Sequence, residues 1–174
     1  ALLKKEELNP LITSTYGTGL IVQEAIKKGA KKIIVGIGGS ATNDAGIGIV
    51  STLGYDFLDA TNQKITPVGG NLSKIKKIIV PALFPAVGWQ ICCDVTNPLY
   101  GKNGAAFVYA PQKGATNEMV KQLDDGLQNF AVVLLAETGK DIAMVPGAGA
   151  AGGVAGGLMA LADASLHAGI DMVI

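Results

Sequence analysis

The sequence predicts an α/β fold with a largely parallel sheet and flanking helices. Short apolar runs typical of buried strands alternate with helical patterns, and glycine-rich turns follow strands and precede helices. The chain has 174 residues, of which 49% are hydrophobic and 16% charged, so it is long enough for one domain and too apolar to be disordered. We expect residues 1–174 to form a single α/β domain or a fragment of a longer protein, because the chain starts without Met and 171–174 resembles the beginning of a strand.

The first half of the chain is predicted to hold two helices and two strands. A helical pattern over 18–28 ends at Gly29, a frequent helix stop. The apolar run at 33–35 predicts a buried strand. A second helix is expected from about Asn43 to Gly54, then a strand over 55–60 and a turn at 61–63.

The second half is predicted to begin with strands at 78–80 and 89–95, broken sharply at 97–101, with a short apolar piece at 107–109. The longest helix starts at the N-cap Thr116 and ends at Gly139. Its apolar stripe is Met119, Leu123, Leu127, Phe130 and Leu134, and its solvated face is Asp124, Asp125, Gln128 and Asn129. A last helix is expected from about Ala151 to Ala168, with His167 near its end.

Composition excludes several classes of protein. The net charge is 0 and aromatics make up 5%, which disfavours binding to nucleic acid. Adjacent Cys92 and Cys93 would point to opposite faces of a strand, so we expect buried thiols in a reducing, cytoplasmic setting. Residues 142–162 carry no charge over a membrane-span length, but they are mostly Gly and Ala and include Pro146. We therefore expect a buried loop and helix there, and no membrane partner.

The segment 36–44 is the first candidate site. Gly36, Gly38 and Gly39 allow a tight turn that presents backbone N–H groups, and the following helix N-terminus favours an anion. The short polar side chains here are Ser40, Thr42 and Asn43, and Asp44 adds a carboxylate able to hold magnesium or accept a proton. The alternative is that Asn43 or Asp44 simply caps a helix.

The segment 147–152 is the second candidate. Gly147, Gly149 and Gly152 match GxGxxG, and Asp171 follows at the distance of a dinucleotide-binding fingerprint. Such matches arise by chance in so glycine-rich a chain, which has 24 glycines, and the strand expected before it (142–145) is short. A nicotinamide-dinucleotide-binding module is therefore the alternative function, and a loop that packs or binds phosphate is favoured over it.

Two further segments carry polar residues beside predicted strand ends or turns. Asp94 precedes the turn at Asn97 and Pro98 and could cap that turn or hold a metal or hydroxyl. Lys113 lies in a turn framed by Pro111 and Gly114, where it could reach a phosphate or remain solvated. No GxxxxGK[ST], GxSxG or HExxH pattern occurs.

Five segments together resemble the bacterial glycerate kinase family, of the type related to the glyoxylate and glucarate pathways. In chain order they are GIGGSATND at 36–44, CDVTNPL at 93–99, GAA at 104–106, PQKGA at 111–115 and PGAGAAGG at 146–153. TYGTG at 15–19 also resembles the family. The chain departs from the family at Ala45, where a glycine is usual, at VAGG (154–157), and in its length.

The resemblance implies ATP- and Mg²⁺-dependent phosphorylation of a D-glycerate hydroxyl by a two-domain α/β enzyme of which this chain is the middle. It implies catalytic roles for Asp44, Asp94 and Lys113, with Asp44 and Asp94 as metal ligands. Nucleotide contacts would fall to Gly38, Gly39, Gly147, Gly149 and Gly152, and substrate contacts to Ser40, Asn43 and Asn97. The expected partner is glycerate alone, or also a second copy of the chain, and the fragment by itself is expected to be inactive.

Overall fold

The computed structural model describes residues 4–169, and the predicted strand and Asp171 at the carboxyl end lie outside them. Three parallel strands form the main sheet in the order β1-β4-β5: β1 is Lys32–Gly36, β4 is Gly88–Cys92 and β5 is Ser165–His167. Strands β2 (Asp56–Leu58) and β3 (Lys77–Ile79) form a separate antiparallel pair. The predicted α/β class with a mostly parallel sheet is confirmed.

Five α-helices occur among residues 4–169. They are α1 (Tyr16–Lys27), α2 (Ile47–Ser51), α3 (Ala105–Tyr109), α4 (Asn117–Thr138) and α5 (Ala150–Leu161). Short 3-10 helices cover Lys5–Glu7, Gly69–Lys74 and Pro111–Lys113. None of the helices in this part of the chain is long and apolar enough to cross a membrane.

Helix α4 closely follows the sequence prediction. The Thr116 hydroxyl accepts a hydrogen bond from the Met119 amide, and Gly139 ends the helix in the left-handed conformation. The predicted stripe is buried from Leu123 to Leu134, whereas Met119 is only half-buried. Its expected solvated face is partly engaged: Asp124 accepts from the Gly101 amide, and the Asn129 amide donates to the Leu72 and Ile75 carbonyls.

Helix α2 is much shorter than the predicted helix over 43–54. Ala45 and Gly46 have φ of 52° and 72°, which are left-handed values that cannot continue into a right-handed helix. The Asp44 carboxylate accepts from the Gly46 amide and stabilises this turn locally. The first turn of the predicted helix is therefore part of the loop that leaves β1.

The carboxyl-terminal helix was predicted too long. Helix α5 ends at Leu161, and His167 lies in β5 rather than near a helix end. Asp163 takes a left-handed φ of 55°, which ends the helix, and the Ala164 amide donates back to the Leu158 carbonyl. The sequence prediction missed this stop because an aspartate occupies the position where glycine is usual.

The two sheet segments and helices enclose an apolar core. Most of the largest fully buried side chains belong to α2, β4 and α4, and they include Ile49, Ile91, Leu127 and Phe130. The expected buried strand β1 is buried on one face only, since Ile33 is buried and Ile34 is 55% exposed. Cys93 is buried, Cys92 is half-buried, and both are free thiols.

Candidate active site

The loop that follows β1 forms one side of a cleft of about 610 Å³. In a parallel sheet, loops at the carboxyl ends of the strands are the usual ligand position. Residues 37–42 join β1 to the turn before α2, and the amino end of α1 faces them across the cleft. The cleft is lined by Thr13, Ser14, Thr15, Thr18, Val35, Gly36, Ile37, Gly38, Gly39, Ser40, Ala41, Thr42, Ile49, Ala151 and Val154.

The backbone of this loop presents hydrogen-bond donors without protein acceptors. Within residues 4–169, none of the N–H groups from Gly38 to Asn43 donates to a protein oxygen. Two of its carbonyls are engaged, since Ala41 accepts from the Thr13 hydroxyl and Thr42 accepts from Lys113. A run of unpaired amides beside a cleft is well suited to an anion such as a phosphate group.

Lys113 supplies a buried positive charge beside the same loop. Its side chain is 2% exposed, and its ammonium donates to the Ser40 hydroxyl at 2.9 Å and to the Thr42 carbonyl at 2.6 Å. Burial lowers the pKa of Lys113 to about 8, against the opposing effect of the nearby Asp44 carboxylate. An ammonium has three donors, so one remains for a ligand.

A second, smaller pocket of about 160 Å³ lies on the Lys113 side of the loop. It shares Ile37, Gly38, Gly39, Ser40 and Ala151 with the larger cleft. Its remaining lining consists of Val95, Tyr109, Gln112, Lys113 and Ala150. The two spaces therefore meet along the glycine-rich loop.

Asp44 is fully buried and lines neither space. Its carboxylate accepts from the Thr15 amide at 2.7 Å, from the Thr15 hydroxyl at 2.9 Å, and from the Ser14 hydroxyl and Gly46 amide. Burial raises the pKa of Asp44 despite these bonds. Its oxygens are occupied and enclosed, so Asp44 does not fit the metal-ligand or proton-accepting role predicted for it, and we infer that it holds α1 against the loop.

The other predicted metal ligand lies outside the cleft. Asp94 is exposed, lines neither space, and accepts a hydrogen bond from the Gly169 amide at 2.7 Å. No cluster of three or more His, Cys, Asp or Glu residues suitable for a metal occurs among residues 4–169. One carboxylate can bind Mg²⁺ together with substrate phosphates, and Asp94 Oδ2 accepts no hydrogen bond within residues 4–169, so a metal role for Asp94 stays a prediction.

The predicted substrate residues occupy different positions. Ser40 lines both spaces. Asn43 is fully buried, lines neither space, and its amide atoms have no hydrogen-bond partner among the described residues. Asn97 also lies outside both linings, but its Oδ1 accepts from the Tyr109 hydroxyl at 2.5 Å, so it positions a residue that lines the smaller pocket.

The second glycine-rich loop packs directly on the first. A side chain at Gly152 would meet the Thr42 carbonyl and lie 2.6 Å from the Asn43 Cα, and the Gly152 carbonyl accepts from the Ala45 amide. Side chains at Gly147 and Gly149 would similarly meet the Val95 and Pro98 carbonyls. The absence of side chains in this loop thus has a packing reason, and nucleotide contacts by these three glycines stay a prediction.

The alternative dinucleotide-binding site lacks its structural context. Residues 141–149 form turns and no strand, whereas the fingerprint requires a strand before its first glycine. Moreover, Ala151 to Gly153 have φ of 53°, 75° and 88°, so the loop does not open a regular helix at this point. The predicted strand at 142–145 is therefore wrong, and the match to GxGxxG is accidental.

Three residues of the site were missed by sequence reasoning. Tyr109 was placed in a short apolar piece, Thr15 in a segment that resembles the family, and Ala151 at the start of the last predicted helix, and none of them was given a role. Ala151 lines both spaces and has a positive φ of 53°, a conformation unusual for alanine. For Tyr109, the one signal in the sequence was its position two residues before the segment PQKG (111–114).

Comparison with known proteins agrees with this arrangement. A sequence profile described as the glycerate kinase family matches residues 1–174. A glycerate kinase of Halalkalibacterium halodurans is 46% identical over 99% of this chain and 46% of its own length. A glycerate 2-kinase of Escherichia coli K12 is 43% identical over 99% of this chain and 46% of its own length.

A solved structure agrees in fold as well. A crystal structure described as a glycerate kinase 2 of Salmonella typhimurium LT2 superposes with a TM-score of 0.94 at 39% identity, covering 98% of this chain and 46% of that one. The chain thus spans about half the length of the relatives it matches. The chain belongs to the glycerate kinase family.

Proposed function

We propose that the whole protein is an ATP-dependent kinase that phosphorylates a hydroxyl of D-glycerate, and that this chain supplies part of its active site. The observation that carries the proposal is the loop 37–42, whose unpaired amides lie between two adjoining spaces with the Lys113 ammonium beside them. The relatives named glycerate kinase support the reaction assigned to it.

The geometry suits phosphoryl transfer because that reaction depends mainly on positioning and on charge stabilisation. The amides of Gly38, Gly39 and Ser40 can donate to phosphate oxygens, and Lys113 can offset negative charge. Asp44 holds the loop against α1 through Thr15 and therefore keeps these donors in place.

A coupled assay on the full-length protein tests the proposal. We expect ADP to form from ATP only when D-glycerate is present. Lys113→Met should lower kcat/KM by about a hundredfold, because loss of a charge-assisted hydrogen bond to an anionic ligand costs about 1.5–3 kcal/mol. Lys121→Met is the matched control, since Lys121 is exposed and the change in net charge is identical.

The pH profile gives a second measurement. The wild-type kcat/KM should fall as pH rises through about 8, where the Lys113 ammonium of the free enzyme loses its proton. Lys113→Met should lack this fall. ADP formation that is independent of D-glycerate, or equal rates for the Lys113 and Lys121 variants, would contradict the proposal.

A further inference from the structure

The two spaces on either side of loop 37–42 differ in size. The larger, at about 610 Å³, falls within the range of roughly 300–1,000 Å³ typical of sites for drug-sized ligands. The smaller, at about 160 Å³, corresponds to about five water molecules at roughly 30 Å³ each. Only the larger space can accommodate a nucleotide, whereas a molecule of three or four carbon atoms fits the smaller pocket.

The two spaces also differ in charge. Lys113 lines the smaller pocket and is the one charged side chain among the described residues that line either space. The larger cleft is neutral, and its hydroxyl groups, such as those of Thr13 and Thr18, alternate with apolar side chains such as Val35 and Ile49. A small carboxylate is therefore favoured beside Lys113, and a ligand with apolar and hydroxyl-bearing parts is favoured in the larger cleft.

The polar groups that line the smaller pocket have hydrogen-bonding capacity left for a ligand. Two of the three Lys113 donors are used by Ser40 and Thr42, which leaves one. The Tyr109 hydroxyl donates its hydrogen to Asn97, and its oxygen can still accept a hydrogen bond from a ligand hydroxyl. The Gln112 amide makes no hydrogen bond within residues 4–169 and offers both donors and an acceptor.

We propose that the smaller pocket binds the acid that accepts the phosphoryl group, with its carboxylate at Lys113 and a hydroxyl at Tyr109, and that the larger cleft takes the nucleotide. Gln112 and Tyr109 then determine specificity for a short hydroxy acid. The assignment rests on the proposed function. It places the shared Gly38–Ser40 segment between donor and acceptor, where a transferred phosphate would lie.

Steady-state kinetics on the full-length protein distinguish the two subsites. Gln112→Leu and Tyr109→Phe each remove one hydrogen-bonding group at nearly constant shape. Each should raise the KM for D-glycerate about fivefold, the effect of one lost hydrogen bond, and leave the KM for ATP within about twofold. Thr18→Val is the matched variant in the larger cleft and should raise the KM for ATP alone.

Direct binding completes the test. Calorimetric titration of D-glycerate without ATP should show binding to the wild type and weaker binding to Gln112→Leu, with thermal melting used to verify folding of each variant. Two outcomes overturn the assignment of the subsites: a higher KM for ATP in Gln112→Leu, or unaltered D-glycerate affinity in both small-pocket variants. If activity still depends on D-glycerate in that case, the proposed function remains intact. Absence of that activity in the wild type defeats the proposed function itself.

Discussion

Asp44 and Lys113 show how burial changes what a charged residue can do. The resemblance to the glycerate kinase family implied a catalytic role for both. Lys113 is buried and yet lines the smaller pocket, so it keeps one donor for a ligand. Asp44 is buried with its oxygens occupied by α1 and its own turn, so its charge supports the fold of the site.

Asp44→Ala should therefore destabilise the protein, because the substitution leaves the buried Thr15 amide and hydroxyl without a hydrogen-bond acceptor. We expect the free energy of unfolding to fall by about 3 kcal/mol, measured by urea denaturation. Asp94→Ala is the control, since Asp94 is exposed and accepts one bond, and it should cost less than about 1 kcal/mol. Equal stability of the two variants would argue against the supporting role of Asp44.

At the scale of elements, the site depends on two glycine-rich loops that touch. The loop at 147–153 packs its backbone against Thr42 and Asn43 of the loop that leaves β1. The positive φ values of Ala151 and Gly152 direct this backbone towards its neighbour before α5 continues. The conformation of the phosphate-facing loop is thus supported from behind by a segment more than 100 residues later in the chain.

Gly152→Ala tests this contact. The new methyl group would collide with the Thr42 carbonyl and the Asn43 backbone, neither of which can rotate away, at a φ of 75°. We expect a loss of about 3 kcal/mol in the free energy of unfolding, from overpacking and left-handed strain together.

Gly17→Ala is the matched control in α1. No atom lies within 4 Å of the added methyl group, so the helix should gain about 0.5 kcal/mol. A wild-type melting temperature in the Gly152 variant would show that the two loops are not packed as described.

At the scale of the whole molecule, the described residues leave apolar surface uncovered. Ile34 on the sheet is 55% exposed, Ile21 on α1 is 73% exposed, and Leu83 is 90% exposed. Parallel sheets are normally covered on both faces. The relatives are about twice as long as this chain, so a protein of their length would have enough further residues to cover these side chains.

We expect residues 1–174 expressed alone to show no ATP- and D-glycerate-dependent formation of ADP, while the full-length protein does. The reason is that this chain spans about half the length of its relatives, and phosphoryl transfer requires a site closed to water. Both proteins would be compared in the same coupled assay at equal concentration. Turnover by the short protein at a rate near that of the whole would show that this segment contains the complete active site.

The class of fold, the family and the elements with local signals could be predicted from the amino-acid sequence alone. Alternation of strands and helices, the Thr116 cap, the apolar stripe of α4 and the glycine-rich segment after β1 all depend on residues near one another in the chain. These features were accordingly predicted close to their observed positions. Localisation, oligomeric state and the absence of nucleic-acid partners stay predictions.

Which polar residues face the site depends on the tertiary structure. The start of α2, the end of α5 and the orientation of Asp44 depend on left-handed residues and on contacts between segments distant in sequence. The same holds for Tyr109, which Asn97 holds at the smaller pocket, and for the burial of Lys113. Spacing along the chain carries no information on which side of a loop is enclosed, because packing of distant segments determines burial.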